Sequence, residues 1–325
     1  MRSISPSERI ALAAEIACLL EVSAPKPGNV TRFADFSDTR YIDFLASAAV
    51  TGTVLRTVAR ATTGSLILEV VQETARAVGR NTNLGIALLF APLAKAALLG
   101  GRRSLRTRVH AVLASLTPRD GQKVYEAIRL ASPGGLGGAE EFDVRTTRGK
   151  APLRPAMRLA MDRDSIAREY TTNFEITFTI SSPALERSMT ASGDAEASIV
   201  QTYLTLLSRL PDSLIARKCG DREAKRVSQQ AGAILADGGA FTQEGRRRLT
   251  SWDRTLRKRG NRLNPGTTAD LTAAALFVVM LEKGIEYMLG GEGKLSRMQS
   301  RVLLSDNLGS AIVGSRPKDG RLNPA

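Results

Sequence analysis

The run Ile86–Leu99, IALLFAPLAKAALL, constrains the fold of this 325-residue chain more than any other segment. It is broken by Pro92 and Lys95, and at about 1.5 Å per residue it is too short to cross roughly 30 Å of hydrocarbon. With almost no polar face to leave in water, it is predicted to be a buried core helix that other elements must enclose. A chain rich in Ala and Leu with only 5% aromatic residues suits closely packed helices better than sheets. A helical class is therefore the first expectation, and 43% hydrophobic content over this length is enough for a substantial core.

Helix starts can be read along the chain. Ser5-Pro6-Ser7-Glu8 has the form of a capping box, opening a helix to about Leu20 that Pro25 and Pro27 break. Thr117-Pro118-Arg119-Asp120 opens another, ending near Ser132-Pro133-Gly134-Gly135, and Ser182-Pro183 and Leu210-Pro211-Asp212 mark further starts. Asn173–Ile180, NFEITFTI, alternates like a strand, but a lone strand has no partner, so a helix continuation or extended segment is preferred. The run after Gly290, rich in Gly, Ser, Arg and Lys, has the composition of a flexible tail.

Several mechanisms are excluded by a single count. The chain has one histidine, His110, in the basic sequence RRSLRTRVHAV, so Ser-His-Asp, Cys-His and HExxH chemistries lack their parts. Acid–base work falls to carboxylates, lysines or the substrate. Cys18 and Cys219 lie far apart without CxxC spacing, and no secretory signal is evident, so a reducing cytoplasm is expected and no membrane span. Net charge is +14, which attracts anions without choosing among nucleotides, CoA, nucleic acid or acidic lipids. Gly245–Arg262 concentrates basic residues around Trp252, as an anion-binding face or as a solvated helix surface.

Four segments can carry chemistry. Glu21–Gly28, EVSAPKPG, places a carboxylate at a helix end and Lys26 between two prolines, a stiff frame suited to phosphate, with Gly28 allowing close backbone approach; an ordinary Pro-rich turn is the plain alternative. Asn81-Thr82-Asn83-Leu84-Gly85 precedes the apolar run, where a helix N-terminus favours anions, though simple capping explains much of it. Ser132–Gly138, with Gly134 and Gly135, could cradle phosphates but matches no established pattern. Asn264–Leu271, NPGTTADL, opens the last long apolar helix, where Asp270 suits capping as well as function.

Taken in order, these segments resemble the triphosphoribosyl-dephospho-CoA synthase family. EVSAPKPGNVTR is similar to that family's EVSxxPKPGLVDR, Asp38 with FLAS (Phe44–Ser47) to its HxDM and FLAS, NTNLG to NTHKG, and PGTTADL to PGGSADL. Asp164–Arg168 resembles a less specific DTxxxR stretch. The chain departs at Phe36, where the family has histidine, and at Asn83 and Leu84, where it has His and Lys.

The resemblance implies an all-α fold: one multi-helix ATP-binding domain over residues 1–289 and a flexible tail over 290–325. It implies a cytoplasmic transferase in which an acceptor hydroxyl, that of dephospho-CoA, attacks ribose C1′ of ATP and adenine leaves. Mg²⁺ and ATP are the implied cofactor and substrate. On it, Glu21, Asp38 and Asp270 are expected as catalytic groups, and Lys26, Gly28, Asn81, Thr82, Gly134, Gly135, Gly266 and Thr267 as nucleotide or phosphate contacts. Glu21, Asp38 and Asp164 are expected around the metal.

NTNLG, SPGGLG and PGTTADL look more like a divergent branch associated with one-carbon metabolism, so the alternative is a related ATP- or phosphoribosyl-using enzyme of methanopterin- or methanofuran-type cofactor assembly. A basic helical nucleic-acid-binding protein is the second alternative, disfavoured because no helix-turn-helix, zinc or stacking pattern accompanies the charge. The sequence leaves the acceptor and a homo-oligomeric state open.

Overall fold

In the computed structural model, residues 4–132 and 152–290 are described. The first stretch carries α1 (Pro6–Ser23), α2 (Tyr41–Leu55), α3 (Thr63–Val78), α4 (Leu84–Leu99), α5 (Leu105–Ala114) and α6 (Pro118–Ala131). The second carries α7 (Leu153–Ala160), α8 (Ser165–Thr172), α9 (Ser182–Ser192), α10 (Ala195–Arg209), α11 (Ser213–Cys219), α12 (Asp221–Ala236), α13 (Gln243–Arg257), α14 (Gly266–Lys283) and α15 (Ile285–Leu289). Among the described residues the only extended pairings are two isolated bridges, Thr31 with Ala34 and Phe36 with Thr39. The fold is all-α, a single domain as expected; Gly134, Gly135 and the tail after Gly290 lie outside the described residues.

The local signals set these boundaries. Ser5 and Thr117 each complete a capping box, with Glu8 and Asp120 returning the bond to the cap. Asp212 caps α11 through Leu214 N–H at 2.9 Å and Ile215 N–H at 3.0 Å, and its other oxygen accepts from Thr268 N–H at 2.7 Å and Thr268 Oγ1 at 2.8 Å. One carboxylate therefore fastens the starts of α11 and α14 together.

Two apolar helices form the centre. From Leu84 to Ala96 every side chain of α4 except Lys95 is buried, and from Ala273 to Val279 α14 is fully enclosed. Their rings meet at Phe90 and Phe277, stacked with centroids 4.5 Å apart. Around them lie α1, α3, α5, α8, α9 and α10. No helix among the described residues is long and apolar enough to cross a membrane.

Pro92 lies inside α4 and has no N–H, so the Leu88 carbonyl four residues earlier loses its helical donor. Tyr170 of α8 supplies the replacement, its hydroxyl donating to Leu88 O at 2.7 Å. Lys95 reaches the turn that follows α2, donating to Val58 O at 3.0 Å and Ala61 O at 2.9 Å.

NFEITFTI is helical. Asn173 and Phe174 both have positive φ, 54° and 57°, which ends α8, and a π-helical turn over Thr177–Ser181 runs on into α9. The buried Glu169 organises this join, accepting from Ile176 N–H at 2.9 Å, Thr177 N–H at 2.7 Å and the Thr177 hydroxyl. Phe174 and Ile176 are buried while Phe178 and Ile180 are half-covered, so the alternation reflects packing around a turn. His110 is exposed, its Nδ1 3.0 Å from Asn173 Oδ1.

Candidate active site

A cavity of about 780 Å³ opens where the end of α1, the 24–40 loop and the starts of α4, α8, α11 and α14 meet. That size is ordinary for a small-molecule site, which falls within roughly 300–1,000 Å³. Of the residues expected from sequence, Glu21, Asp38, Asn81, Thr82, Asp164, Gly266, Thr267 and Asp270 all line it. Lys26 and Gly28 do not.

Lys26 is buried, with its Nζ 3.0 Å from Glu21 Oε1 and donating to the Glu21 and Ala24 carbonyls, the latter at 3.3 Å. The prolines do present it from a rigid frame, but inward, toward the helix end. Burial pushes the Glu21 carboxyl up and the Lys26 ammonium down, and each opposes the shift of the other. With three oxygens around Nζ, an ionised pair is the form this geometry favours. Gly28 has φ +78°, and its N–H donates to Asp253 Oδ1 at 2.8 Å. A Cβ there would come within 2.8 Å of Leu256 Cδ1, so its close approach is to α13. The loop is pinned again by Tyr203, which donates to Pro27 O at 2.9 Å and accepts from Asn29 Nδ2 at 2.8 Å.

Asp270 faces the cavity from the second turn of α14. Among the described residues its carboxylate makes no hydrogen bond or ion pair, and burial, then Glu21, Asp212 and Asp164, raise its pKa well above the usual carboxylate range. A neutral acid beside the charged Glu21 is the form such a cluster favours. Gly85 makes room for it: a Cβ at that position would sit 1.9 Å from Asp270 Oδ2 and 2.4 Å from its Cγ. The glycine of NTNLG and the aspartate of PGTTADL are thus two halves of one fit.

The other carboxylates are more committed. Asp164 caps α8 through Ile166 N–H at 2.8 Å and Ala167 N–H at 3.1 Å, and its second oxygen pairs with Arg217. Asp38 lies at the exposed rim, accepting from Asn261 Nδ2 and, at 3.3 Å, from Thr39 Oγ1. Among the described residues no three His, Cys, Asp or Glu side chains are grouped to hold a metal ion.

Donors for an anion surround these acids. The N–H groups of Gly85 and Ile86 at the start of α4, and of Thr267 at the start of α14, have no acceptor among the described residues, because neither helix has a side-chain cap from its N-cap residue. Asn81 Oδ1 takes the Leu84 N–H at 3.1 Å, Thr82 shares a short hydrogen bond with Ser47 of the FLAS stretch, and Asn83 turns inward to Thr51 and Thr74. Arg80, Arg163, Arg217 and Lys218 bring positive charge to the lining. Lys218 donates to Asn261 O at 3.2 Å, and half-burial lowers its pKa. None of these four cations was singled out by the sequence, since in so basic a chain no pattern separates a lining arginine from a solvated one. The lining also has an apolar part, with Leu84, Leu88, Ile128, Leu153 and Met157. The basic stretch 245–262 behaves mainly as a solvated surface: Arg247 pairs with Glu244, Arg248 with Asp237 and Arg257 with Asp253, while Trp252 is buried.

The family model of ATP:dephospho-CoA triphosphoribosyl transferase matches residues 7–287. A Pseudomonas fluorescens protein described as a 2-(5″-triphosphoribosyl)-3′-dephosphocoenzyme-A synthase is 33% identical over 102 residues, 31% of this chain and 34% of that protein. One of the same description from Malonomonas rubra is 30% identical over 101 residues, covering 31% of each chain. The match thus spans about a third of the length of these curated relatives. A crystal structure from Archaeoglobus fulgidus, assigned as a triphosphoribosyl-dephospho-CoA synthase, superposes with a TM-score of 0.57 at 28% identity over 74% of this chain and 99% of that one.

Proposed function

Because the chain belongs to the ATP:dephospho-CoA triphosphoribosyl transferase family, we propose that it is a transferase using ATP as ribosyl donor. The acceptor hydroxyl oxygen bonds to ribose C1′ as the C1′–N9 bond breaks with its electron pair moving to adenine. The acceptor's proton is lost to a base, adenine gains one, and the triphosphate stays on the ribose. The observation that carries this reading is the pairing, in one cavity, of the unpartnered Asp270 carboxyl with free helix N–H groups and four cations.

In this reading Asp270, held neutral, gives its proton to departing adenine. Glu21, kept ionised and fixed by Lys26, stabilises the cationic character that develops at C1′. Lys26 is then a positioning residue. The triphosphate lies against the N–H groups of Gly85, Ile86 and Thr267 with Arg163, Arg217 and Arg80 about it. Magnesium fits as an ion carried on the triphosphate: Glu21 and Asp164 are each engaged by a cation, which leaves Asp38 at the rim as the carboxylate to join it, and Mg²⁺ needs only one or two carboxylates beside phosphate oxygens. It would neutralise phosphate charge there.

The acceptor follows the relatives, dephospho-CoA. The apolar wall, with Leu84 and Phe36 where the family's lysine and histidine stand, favours as a second reading a flatter acceptor such as a pterin-, furan- or aminobenzoate-type cofactor precursor. Incubation with ATP, Mg²⁺ and each acceptor, with free adenine measured by chromatography, tests both. Adenine release with dephospho-CoA alone supports the first reading, release with the flat acceptors alone supports the second, and none with any acceptor sinks the transferase assignment.

A further inference from the structure

We infer that Arg257 of α13 is a positioning residue for Asp38, holding at the cavity rim the turn from which that carboxylate meets the Mg²⁺ of the nucleotide. This rests on the place proposed for Asp38 above and adds the residue that keeps it there. Arg257 belongs to the most basic stretch of the chain, in which Arg247 and Arg248 pair with Glu244 and Asp237. One face of α13 is turned to another use. Asp253, Leu256 and Arg257 stand at i, i+3 and i+4, on one side of the helix, and all three meet the 24–40 loop. Asp253 Oδ1 accepts from Gly28 N–H at 2.8 Å, Leu256 closes on Gly28, and Arg257 Nη2 donates to the Asn29 carbonyl. Asp253 orients the guanidinium in turn, its two oxygens accepting from Arg257 Nε at 2.9 and 2.8 Å.

The guanidinium so fixed lies over the Phe36 ring, with Cζ 5.0 Å from the ring centroid. Phe36 closes the turn that displays Asp38: its N–H donates to Thr39 O at 2.9 Å, and the Thr39 N–H returns to Phe36 O at 3.4 Å. Ser37 and Asp38 at the tip are exposed while Phe36 is buried, so the turn hangs on its ring. From the other side Asn261, in the segment after α13, donates to Asp38 Oδ2. The helix and the segment that follows it thus hold both the base and the tip of the turn. An exposed carboxylate has no packing of its own to fix it, and this grip supplies the lack. Arginine suits the task where lysine does not, because its planar fork joins Asp253 to the Asn29 carbonyl while its face covers the ring.

Calorimetric titration of the full chain with ATP, once with saturating Mg²⁺ and once with EDTA, tests this. Mg²⁺ is expected to tighten ATP binding by the intact protein. Asp38→Asn and Arg257→Lys should each cut that gain by about tenfold, and the double variant should cut it no further. Arg257→Lys keeps the charge, so its metal-free affinity should match that of the intact protein. Phe36→Leu, which leaves Arg257 its bonds to Asp253 and Asn29, should lose part of the gain and decides the matter if circular dichroism shows Arg257→Lys unfolded. A full gain in the folded variants, a loss additive with that of Asp38→Asn, or an equal fall in metal-free affinity overturns the inference, while a reduced gain in Asp38→Asn would leave that carboxylate its place. No gain in the intact protein, or an unchanged gain in Asp38→Asn, removes that place and the inference with it. Adenine release tests the transferase reading apart from both.

Discussion

Lys26 Nζ and Glu21 Oε1 lie 3.0 Å apart in a buried ion pair that closes the end of α1 against its own following loop. A lysine between two prolines reads from sequence as one presented to a ligand. In the fold it is presented to a carboxylate, and the carboxylate lines the cavity.

Removing one partner of such a pair strands the other. Lys26→Met is expected to destabilise the chain by about 3–5 kcal/mol, whereas the double change with Glu21→Leu should recover most of that loss. Urea unfolding of the two variants checks it; equal losses would mean that the charge of Glu21 is not what Lys26 supports.

Gly85 is the tightest fit in the site. Gly85→Ala must push Asp270 aside, and a displacement of about 1 Å is expected to lower the rate of adenine release by roughly 10²-fold, with KM for ATP changing less. Steady-state kinetics separate the two parameters.

In the proposed mechanism Asp270 works in its protonated form. The rate should therefore fall as pH rises through its elevated pKa, and Asp270→Asn should remove that limb while lowering kcat by about 10²–10⁴-fold. A pH–rate profile of both proteins decides this.

The Tyr170 hydroxyl matters because Pro92 leaves a carbonyl open. Tyr170→Phe is expected to cost about 1–3 kcal/mol in the native chain and distinctly less in a Pro92→Ala background, where a main-chain N–H can return to Leu88 O. A double-mutant cycle by chemical denaturation measures the coupling.

Burial raises the Glu169 carboxyl from its usual range to about 7, against the three donors that favour its ionised form. The folded state then binds a proton that the unfolded chain has lost. The stability this contributes is complete below about pH 4.5, declines as pH rises and is gone above about pH 7, a total of about 3 kcal/mol. Glu169→Gln should flatten the slope of unfolding free energy between those limits.

The helical class, the capping boxes at Ser5 and Thr117, the start at Asp212 and the buried run around Pro92 were all legible because each is a local pattern of a few residues. The preference for a helix continuation or extended segment over a strand in NFEITFTI held, yet nothing local announced that Glu169 would gather the next helix onto itself. The cavity lining was legible where motif residues sit on helix starts, as at Asn81, Thr82, Gly266, Thr267 and Asp270. The inward turn of Lys26, the use of Gly28 against Leu256 and the fit of Gly85 to Asp270 each join residues far apart in the chain. Such distances follow from the packing of α1, α4, α13 and α14, which no spacing within a motif encodes.

The bond from Tyr170 to Leu88 spans 82 residues. Until α8 arrives, α4 carries an open carbonyl in the midst of its most apolar stretch, where no water would remain to satisfy it. The central helix cannot be sealed by its sequence neighbours α3 and α5 alone. Its completion is tied to a later part of the chain, so satisfying the core also seats α8, whose start contributes Asp164, Ile166 and Ala167 to the cavity lining. A fold in which α8 were unseated would leave that carbonyl open and lose those three residues from the cavity lining, so the core and the site share this one contact.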